Sequence, residues 1–302
     1  MDIKSLIKNG VELTEARLNE LLPGEDVAPT TLHKAMRYSV FAGGKRIRPL
    51  LCLEAAKAVC GYEEPALNAA CALEVLHTYT LIHDDLPSMD NDDLRRGKPT
   101  CHKMFDECIA TLAGDALQSA AFRTVLSVPG PWEEDPTAPG KIARVLAEAA
   151  GELGMCAGQY WDTMGDGKPH TLEELTEIHD KKTGALLRAA CIMGVLASAG
   201  HRKVSESCLD AARAYATHLG LAFQIQDDLL DATSTTEELG KPVGSDEANG
   251  KTTYITLLGV EGCEALVLEQ TRLAKQALDA GAWPGDTGFL HWLADQMARR
   301  KH

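Results

Sequence analysis

Two acidic clusters, Asp84-Asp85-Leu86-Pro87-Ser88-Met89-Asp90 and Asp227-Asp228-Leu229-Leu230-Asp231, each close an apolar run, Leu81-Ile82-His83 and Leu221-Ala222-Phe223-Gln224-Ile225-Gln226. The apolar runs demand burial, yet burying an unpaired ion costs several kcal/mol. A fold that meets both demands places the runs inside and turns the two acidic ends toward one strongly positive guest. Oxygen ligands in that number suit Mg²⁺, which takes one or two carboxylates and completes its shell with water and phosphate.

Helical periodicity runs along the whole chain. Leu6, Leu13, Leu18, Leu21 and Leu22 mark a first amphipathic helix stopped by Pro23-Gly24. Further helices are predicted over 30–41, 49–59, 65–85, 107–127, 141–161, 171–199, 204–231, 261–280 and 288–300, with Gly43-Gly44, Gly61 and Pro87 among the stops. Thr171-Leu172-Glu173-Glu174 has the form of a capping box. The stretch 128–140 carries four prolines and two glycines and reads as a surface loop. Strand alternation is almost absent, and aromatic residues make up only 5%, which favours helices over sheets. The expectation is one all-α domain over 1–302, a bundle of about ten or more helices around a central cavity. A split at the Pro-rich loop is disfavoured, because one site needs both aspartate clusters.

The formal charge of −14 argues against a nucleic-acid or anionic-membrane partner, so an anionic substrate needs a local patch of cations or metal. The nine cysteines are odd in number and form no CxxC pair, which supports neither a zinc site nor a disulfide framework. Buried, reduced thiols in a cytoplasmic protein are the expectation. The Met1-Asp2-Ile3-Lys4 start has no signal-peptide character, and no run of 18 apolar residues is present to span a membrane.

In the first cluster Pro87 ends the helix, so Asp84 and Asp85 occupy its last turn, and the chain can fold back to set Asp90 beside Asp84. A helix C-terminus is already partly negative, so three carboxylates there gain nothing without a cation. In the second, Phe223, Asp227 and Asp231 follow i, i+4, i+8 spacing and share a face. Gln224 lies a turn deeper, either touching substrate or as a core amide satisfied by backbone. Arg95-Arg96 reads alone as a surface pair; beside a metal motif it can grip phosphate bidentately. Gly43-Gly44-Lys45-Arg46-Ile47-Arg48-Pro49 joins a glycine turn, three cations and a helix start, which together make an anion seat. Lys182-Thr183, Lys241 and Lys251 are further candidates, although a single lysine is more often a solvated one. His77 sits two turns before Asp84 on the same face, either meeting phosphate or as a core histidine. Tyr79 and Thr80 lie below the metal level and form the wall or floor of any apolar shaft. Acid at the mouth, cations around it and an apolar shaft below suit a diphosphate head on a hydrocarbon tail.

The segments GGKRIRP, HDDLPSMDNDDLRRGKPTCH, KTG and FQIQDDLLD, in this order from Gly43 to Lys251, resemble the trans-isoprenyl diphosphate synthases, in particular the bacterial farnesyl diphosphate synthase type. The resemblance implies the all-α isoprenoid synthase fold, a homodimer, and three Mg²⁺ ions per site, for which Mn²⁺ can substitute. It assigns Asp84 and Asp90 to two of the ions with Asp85 assisting, and Asp227 to the third with Asp228 and Asp231 acting through water. It gives the allylic diphosphate to Arg95, Lys182 and Lys241. It gives isopentenyl diphosphate to Gly44, Lys45, Arg48, His77 and Arg96. Thr183 and Gln224, with Lys182, flank the reacting carbons, and Phe223 and Lys251 line the region. Four residues separate Asp85 from Asp90, similar to bacterial farnesyl and plant geranylgeranyl enzymes. Tyr79, five residues before Asp84, is similar to the bulky stop of farnesyl synthases. The expected activity is therefore Mg²⁺-dependent condensation of isopentenyl diphosphate with dimethylallyl and then geranyl diphosphate. A geranylgeranyl synthase is the alternative. A class I terpene cyclase normally differs in its second motif and needs no isopentenyl seat. A non-catalytic subunit would have lost an aspartate motif.

Overall fold

The computed structural model describes residues 2–127, 135–164, 169–233 and 252–299. Helix α1 (Ile3–Leu21) opens on Asp2, whose carboxylate accepts the Lys4 N–H, and stops ahead of Pro23. After α2 (Thr30–Val40), α3 (Ile47–Cys60) is bracketed by two left-handed residues, Arg46 (φ 50°) and Gly61 (φ 94°). It begins two residues earlier than Pro49, which fits into the first turn because the N–H it lacks has no helical partner there. A 3₁₀ turn at Glu64–Ala66 leads into α4 (Leu67–Asp84).

A two-residue antiparallel ladder, β1 (Leu94–Arg95) with β2 (Lys98–Pro99), is the only sheet among the described residues. Next come α5 (Cys101–Met104) and α6 (Glu107–Leu126), the latter capped by the Asp106 carboxylate on the Ile109 N–H at 2.7 Å. The periodic stretch 141–161 is two helices, α7 (Ala138–Ala150) and α8 (Met155–Met164). Gly151 turns extended at the end of α7, and at Gly154 a Cβ would lie 2.3 Å from the Ala149 carbonyl oxygen. The helix thus reaches back into 138–140; residues 128–134 lie outside the described set.

The capping box at Thr171 forms, with Thr171 and Glu174 satisfying each other's backbone N–H groups, and opens α9 (Leu172–His179). The predicted helix over 171–199 is interrupted by a π turn at Asp180–Gly184, resumes as α10 (Ala185–Ala197) and ends in a 3₁₀ turn. α11 (Glu206–Thr233) carries the second aspartate cluster. α12 (Tyr254–Ala280) starts seven residues before the predicted 261, because Thr253 and Thr256 form a capping box and Gly259 (φ 68°) kinks the helix instead of ending it. α13 (Gly288–Arg299) completes the described chain.

Helices α4 and α10 are apolar around nearly their whole circumference, which marks them as core helices. α4 packs on α6 and α3, α10 on α3, α7 and α11, and α11 on α12. The stretch Leu172–Gly200 is apolar and long enough to cross a membrane by composition, but 72% of its most apolar window is buried inside the protein. All nine cysteines are free thiols; six are buried, whereas Cys108 and Cys156 are exposed and Cys60 is half-buried.

Candidate active site

The first acidic wall is the C-terminal end of α4. Asp85 is its C-cap, and after Pro87 the chain turns back so that the Asp90 N–H donates to the Asp84 carbonyl at 2.9 Å. This is the fold-back expected from Pro87, and it puts a third acid beside the helix end. Burial pushes the Asp84 carboxyl up to about 6; Asp90 and Asp85 add to the shift, while Lys182 and Arg95 oppose it. Asp85 is buried and held by Arg95, whose Nε lies 2.8 and 2.9 Å from its two oxygens and whose Nη2 lies 2.6 Å from Oδ1. An expected assisting ligand and an expected phosphate grip therefore hold each other in this arrangement.

The second wall is the C-terminal part of α11. Gln224 Oε1 accepts from the Thr183 hydroxyl at 3.2 Å. Asp227 is half-buried; Asp228 and Asp231 are buried. Asp228 Oδ2 accepts the Tyr254 N–H at 2.8 Å and so satisfies one of the orphan donors that begin α12. Phe223 packs against the main core.

The π turn links the walls. Its extra residue per turn re-aims Lys182 and Thr183, and such bulges recur at functional sites. Lys182 Nζ lies 2.5 Å from Asp162 Oδ2 and acts electrostatically on Asp84. Gly158 of α8 makes this possible: a Cβ there would lie 2.2 Å from the Lys182 backbone nitrogen. Lys182 thus acts on Asp84 of the first wall, while its neighbour Thr183 bonds Gln224, three residues before Asp227 on α11.

The basic seat gathers around His77, two turns before Asp84 on α4. Gly43 (φ 99°) and Gly44 (φ 127°) form a turn that receives the Arg96 guanidinium: Nη1 donates to the Gly43 carbonyl, and a Cβ at Gly44 would lie 2.7 Å from Cζ. Lys45 is exposed. Arg48 Nε is buried without a hydrogen-bond partner, and burial draws its guanidinium down, as a nearby Arg96 does, against the pull of Glu74. Burial, then Arg48, Arg96, Arg95 and Arg46, hold the His77 imidazole well below its usual range, so it is neutral at pH 7. An unsatisfied arginine N–H facing a second arginine and a neutral imidazole fits a diphosphate. Arg46, the third cation of the motif, is not part of this surface. It is buried, with Nη1 2.6 Å from Glu74 and Nη2 3.2 Å from Glu15 and 2.8 Å from the Val40 carbonyl.

Below the first wall, Tyr79 is buried and meets the His83 ring edge-on at 5.7 Å and 79°. Burial raises its hydroxyl pKa, with Cys156 of α8 and Gln118 of α6 beside it. Thr80 is buried too, and its hydroxyl donates to the His77 carbonyl at 2.8 Å. Lys241 and Lys251 lie outside the described residues. Asp162, Gln118, Cys156 and Glu74 are neighbours of the site that no motif contains. Only Glu74 left a signal, three residues before His77 on the same helical face.

An all-α fold with two acidic helix ends, a lysine acting on the first and an arginine cluster around His77 suits a prenyl-transfer class of protein. The polyprenyl synthetase family matches residues 29–280, and the chain belongs to that family. It is 44% identical over 295 residues to the farnesyl diphosphate synthase of Geobacillus stearothermophilus, covering 98% of this chain and 96% of that one. It is also 44% identical to geranylgeranyl pyrophosphate synthase 9 of Arabidopsis thaliana, over 99% of this chain and 82% of that one. The geranyltransferase of Helicobacter pylori, solved with magnesium and isoprenyl diphosphate, superposes with a TM-score of 0.82 at 32% identity, covering 99% of this chain and 97% of that one. The fold is that of the isoprenoid synthases, and the chain is a prenyltransferase.

Proposed function

We propose that the chain is a farnesyl diphosphate synthase, condensing isopentenyl diphosphate head-to-tail with dimethylallyl diphosphate and then with geranyl diphosphate. The observation that carries the fifteen-carbon product is Tyr79, buried among α4, α6 and α8 five residues before Asp84. A twenty-carbon product is the second reading, favoured by the equal identity to the Arabidopsis geranylgeranyl enzyme.

Among the described residues no three His, Cys, Asp or Glu side chains converge as a finished metal cage. Mg²⁺ does not require one, since it takes few carboxylates and shares phosphate oxygens. The donor set fits: Asp84, whose pKa burial and then Asp90 raise, with Asp90 and Asp227, and Asp85, Asp228 and Asp231 behind them. Bound there with the substrate, three Mg²⁺ supply charge stabilisation for the departing diphosphate. Arg95, Lys182 and Lys241 hold that group; Lys182 exchanges Asp162 for a diphosphate oxygen. Gly44, Lys45, Arg48, His77 and Arg96 seat isopentenyl diphosphate, with the neutral His77 able to donate one N–H. Thr183 and Gln224, fixed on each other, flank the reacting carbons, and Phe223 lines the region. The allylic C–O bond breaks, the isopentenyl double bond attacks the allylic cation, and the proton lost from the product passes to the released diphosphate. The carboxylates are engaged in holding metal, so none serves as base. The whole chain acts as one domain and as a homodimer, a reading supported by Leu112 and Leu126 exposed on α6.

Incubation with Mg²⁺, isopentenyl diphosphate and dimethylallyl or geranyl diphosphate tests this reading. A dominant fifteen-carbon diphosphate supports it, and a twenty-carbon product moves the assignment to the second reading. Absence of condensation rejects both.

A further inference from the structure

The basic seat carries an electrostatic difficulty. Arg46, Arg48, Arg95 and Arg96 all act on His77, so at least four guanidinium groups gather around it. Arg95 is neutralised by Asp85, on the far edge of the cluster. Glu74, which is 2% exposed, acts on all of the other three, and Glu15 adds a second carboxylate for Arg46 alone. It pairs with Arg46 at 2.6 Å, and its charge favours the ionised forms of Arg48 and Arg96 against the burial that opposes them. Arg46 is itself 2% exposed, left-handed in backbone, and the residue that starts α3. Anchoring its side chain between Glu74, Glu15 and the Val40 carbonyl therefore sets the direction in which Lys45 leaves the turn and Arg48 leaves the helix.

We infer that Glu74 is a positioning residue for isopentenyl diphosphate: through its buried ion pair with Arg46 it fixes the Gly43–Arg48 turn and balances the arginine cluster that receives the diphosphate. This rests on the isopentenyl seat proposed above. Glu74 does not touch the substrate. Its position at the root of the seat, three residues before His77 and ten before Asp84, separates it from the allylic site at the tip of α4. Losing it should therefore weaken one substrate and spare the other, an asymmetry that a helix-packing role would not produce.

The test is steady-state condensation by the full chain, with isopentenyl and geranyl diphosphates each varied against a saturating level of the other. Wild type, E74Q, E74D and E15Q are compared, with thermal unfolding recorded for each. E74Q preserves the shape of the side chain and removes its charge. The expected result is a rise of about tenfold in KM for isopentenyl diphosphate, the effect of one charge-assisted hydrogen bond, while KM for geranyl diphosphate stays near the wild-type value. E74D, which keeps the charge, should recover part of the loss. Equal rises in both KM values, or no rise in either, overturn the inference. If E74Q does not fold, E15Q decides, because the Glu15 side chain is 43% exposed and its loss leaves the Glu74 pair intact. A smaller rise confined to isopentenyl diphosphate supports the inference; parallel or absent changes reject it. A wild type that does not condense at all refutes the proposed function and this inference with it. A wild type that condenses beside an unselective E74Q refutes the inference alone.

Discussion

The acidic wall and the basic seat both border α4 and solve the same problem with opposite signs. Each gathers several like charges out of water, which is costly unless they are paired. In the wall, Asp85 is matched by Arg95 and Asp84 is left strained, its carboxyl raised to about 6. In the seat, Arg46 is matched by Glu74 through Nη1, although its Nε, like that of Arg48, is buried without a partner, and burial with the surrounding arginines disfavours the charged form of His77. In both, one ion of the motif is committed to structure and its sequence neighbour is left unbalanced toward the ligand. A ligand carrying both metal and diphosphate relieves both imbalances, so the residual mismatch marks which member of each motif acts on substrate.

The sharpest way to break this division is to remove the unbalanced acids. Asp84→Ala and Asp227→Ala should each lower turnover by about 10³-fold, the scale of losing a main electrostatic contact to a developing charge. Circular dichroism should show the helices intact. Near-normal rates in either variant would remove that aspartate from the metal set.

A second contrast lies within the seat. Arg46→Met leaves Glu74 buried and unpaired and should cost about 3–5 kcal/mol in urea unfolding. Arg48→Met leaves the buried Arg46–Glu74 pair in place, so its unfolding free energy should change far less while KM for isopentenyl diphosphate rises. Equal stability losses would show that the two arginines are not divided between structure and binding.

The floor provides a third, with a smaller effect on rate. Tyr79→Ala should keep condensation active and shift the product toward twenty carbons, read by chromatography of the dephosphorylated alcohols. An unchanged product would place the ruler elsewhere, with Cys156 and Gln118 as the neighbouring side chains to examine.

Much of this was legible in the sequence because it was local. Pro87 after Asp85 dictated the fold-back of Asp90, and spacing alone put Phe223, Asp227 and Asp231 on one face. The capping box at Thr171 announced α9. What escaped was tertiary. The π turn at Asp180–Gly184 depends on Gly158 of another helix, and nothing in Lys182-Thr183 itself signals a widened turn. The break between α7 and α8 was hidden by small residues that keep helical periodicity through Gly151 and Gly154. The division between Arg46 and Arg48 was invisible for the same reason: both are cations in one short motif, and only the approach of Glu74 and Glu15, from α4 and α1, tells them apart.

The smallest predicted effect probes the charge that the seat gives up. At pH 7 the His77 imidazole is neutral in the folded protein, because burial and the surrounding arginines disfavour its cation. In the unfolded chain it takes a proton below about pH 6.5. Between that value and its depressed native pKa, the unfolded state binds a proton that the folded state refuses. The stability contributed by the neutral imidazole is therefore complete above about pH 6.5 and declines as the pH falls. Wild type should lose about 1 kcal/mol more than His77→Gln between pH 7.5 and 5.5 in urea unfolding. Equal losses would mean that the imidazole is protonated in place, with the arginines too far away or too well screened to repel it. The basic seat would then be less strained than the acidic wall, and the symmetry between the two clusters would fail at this residue.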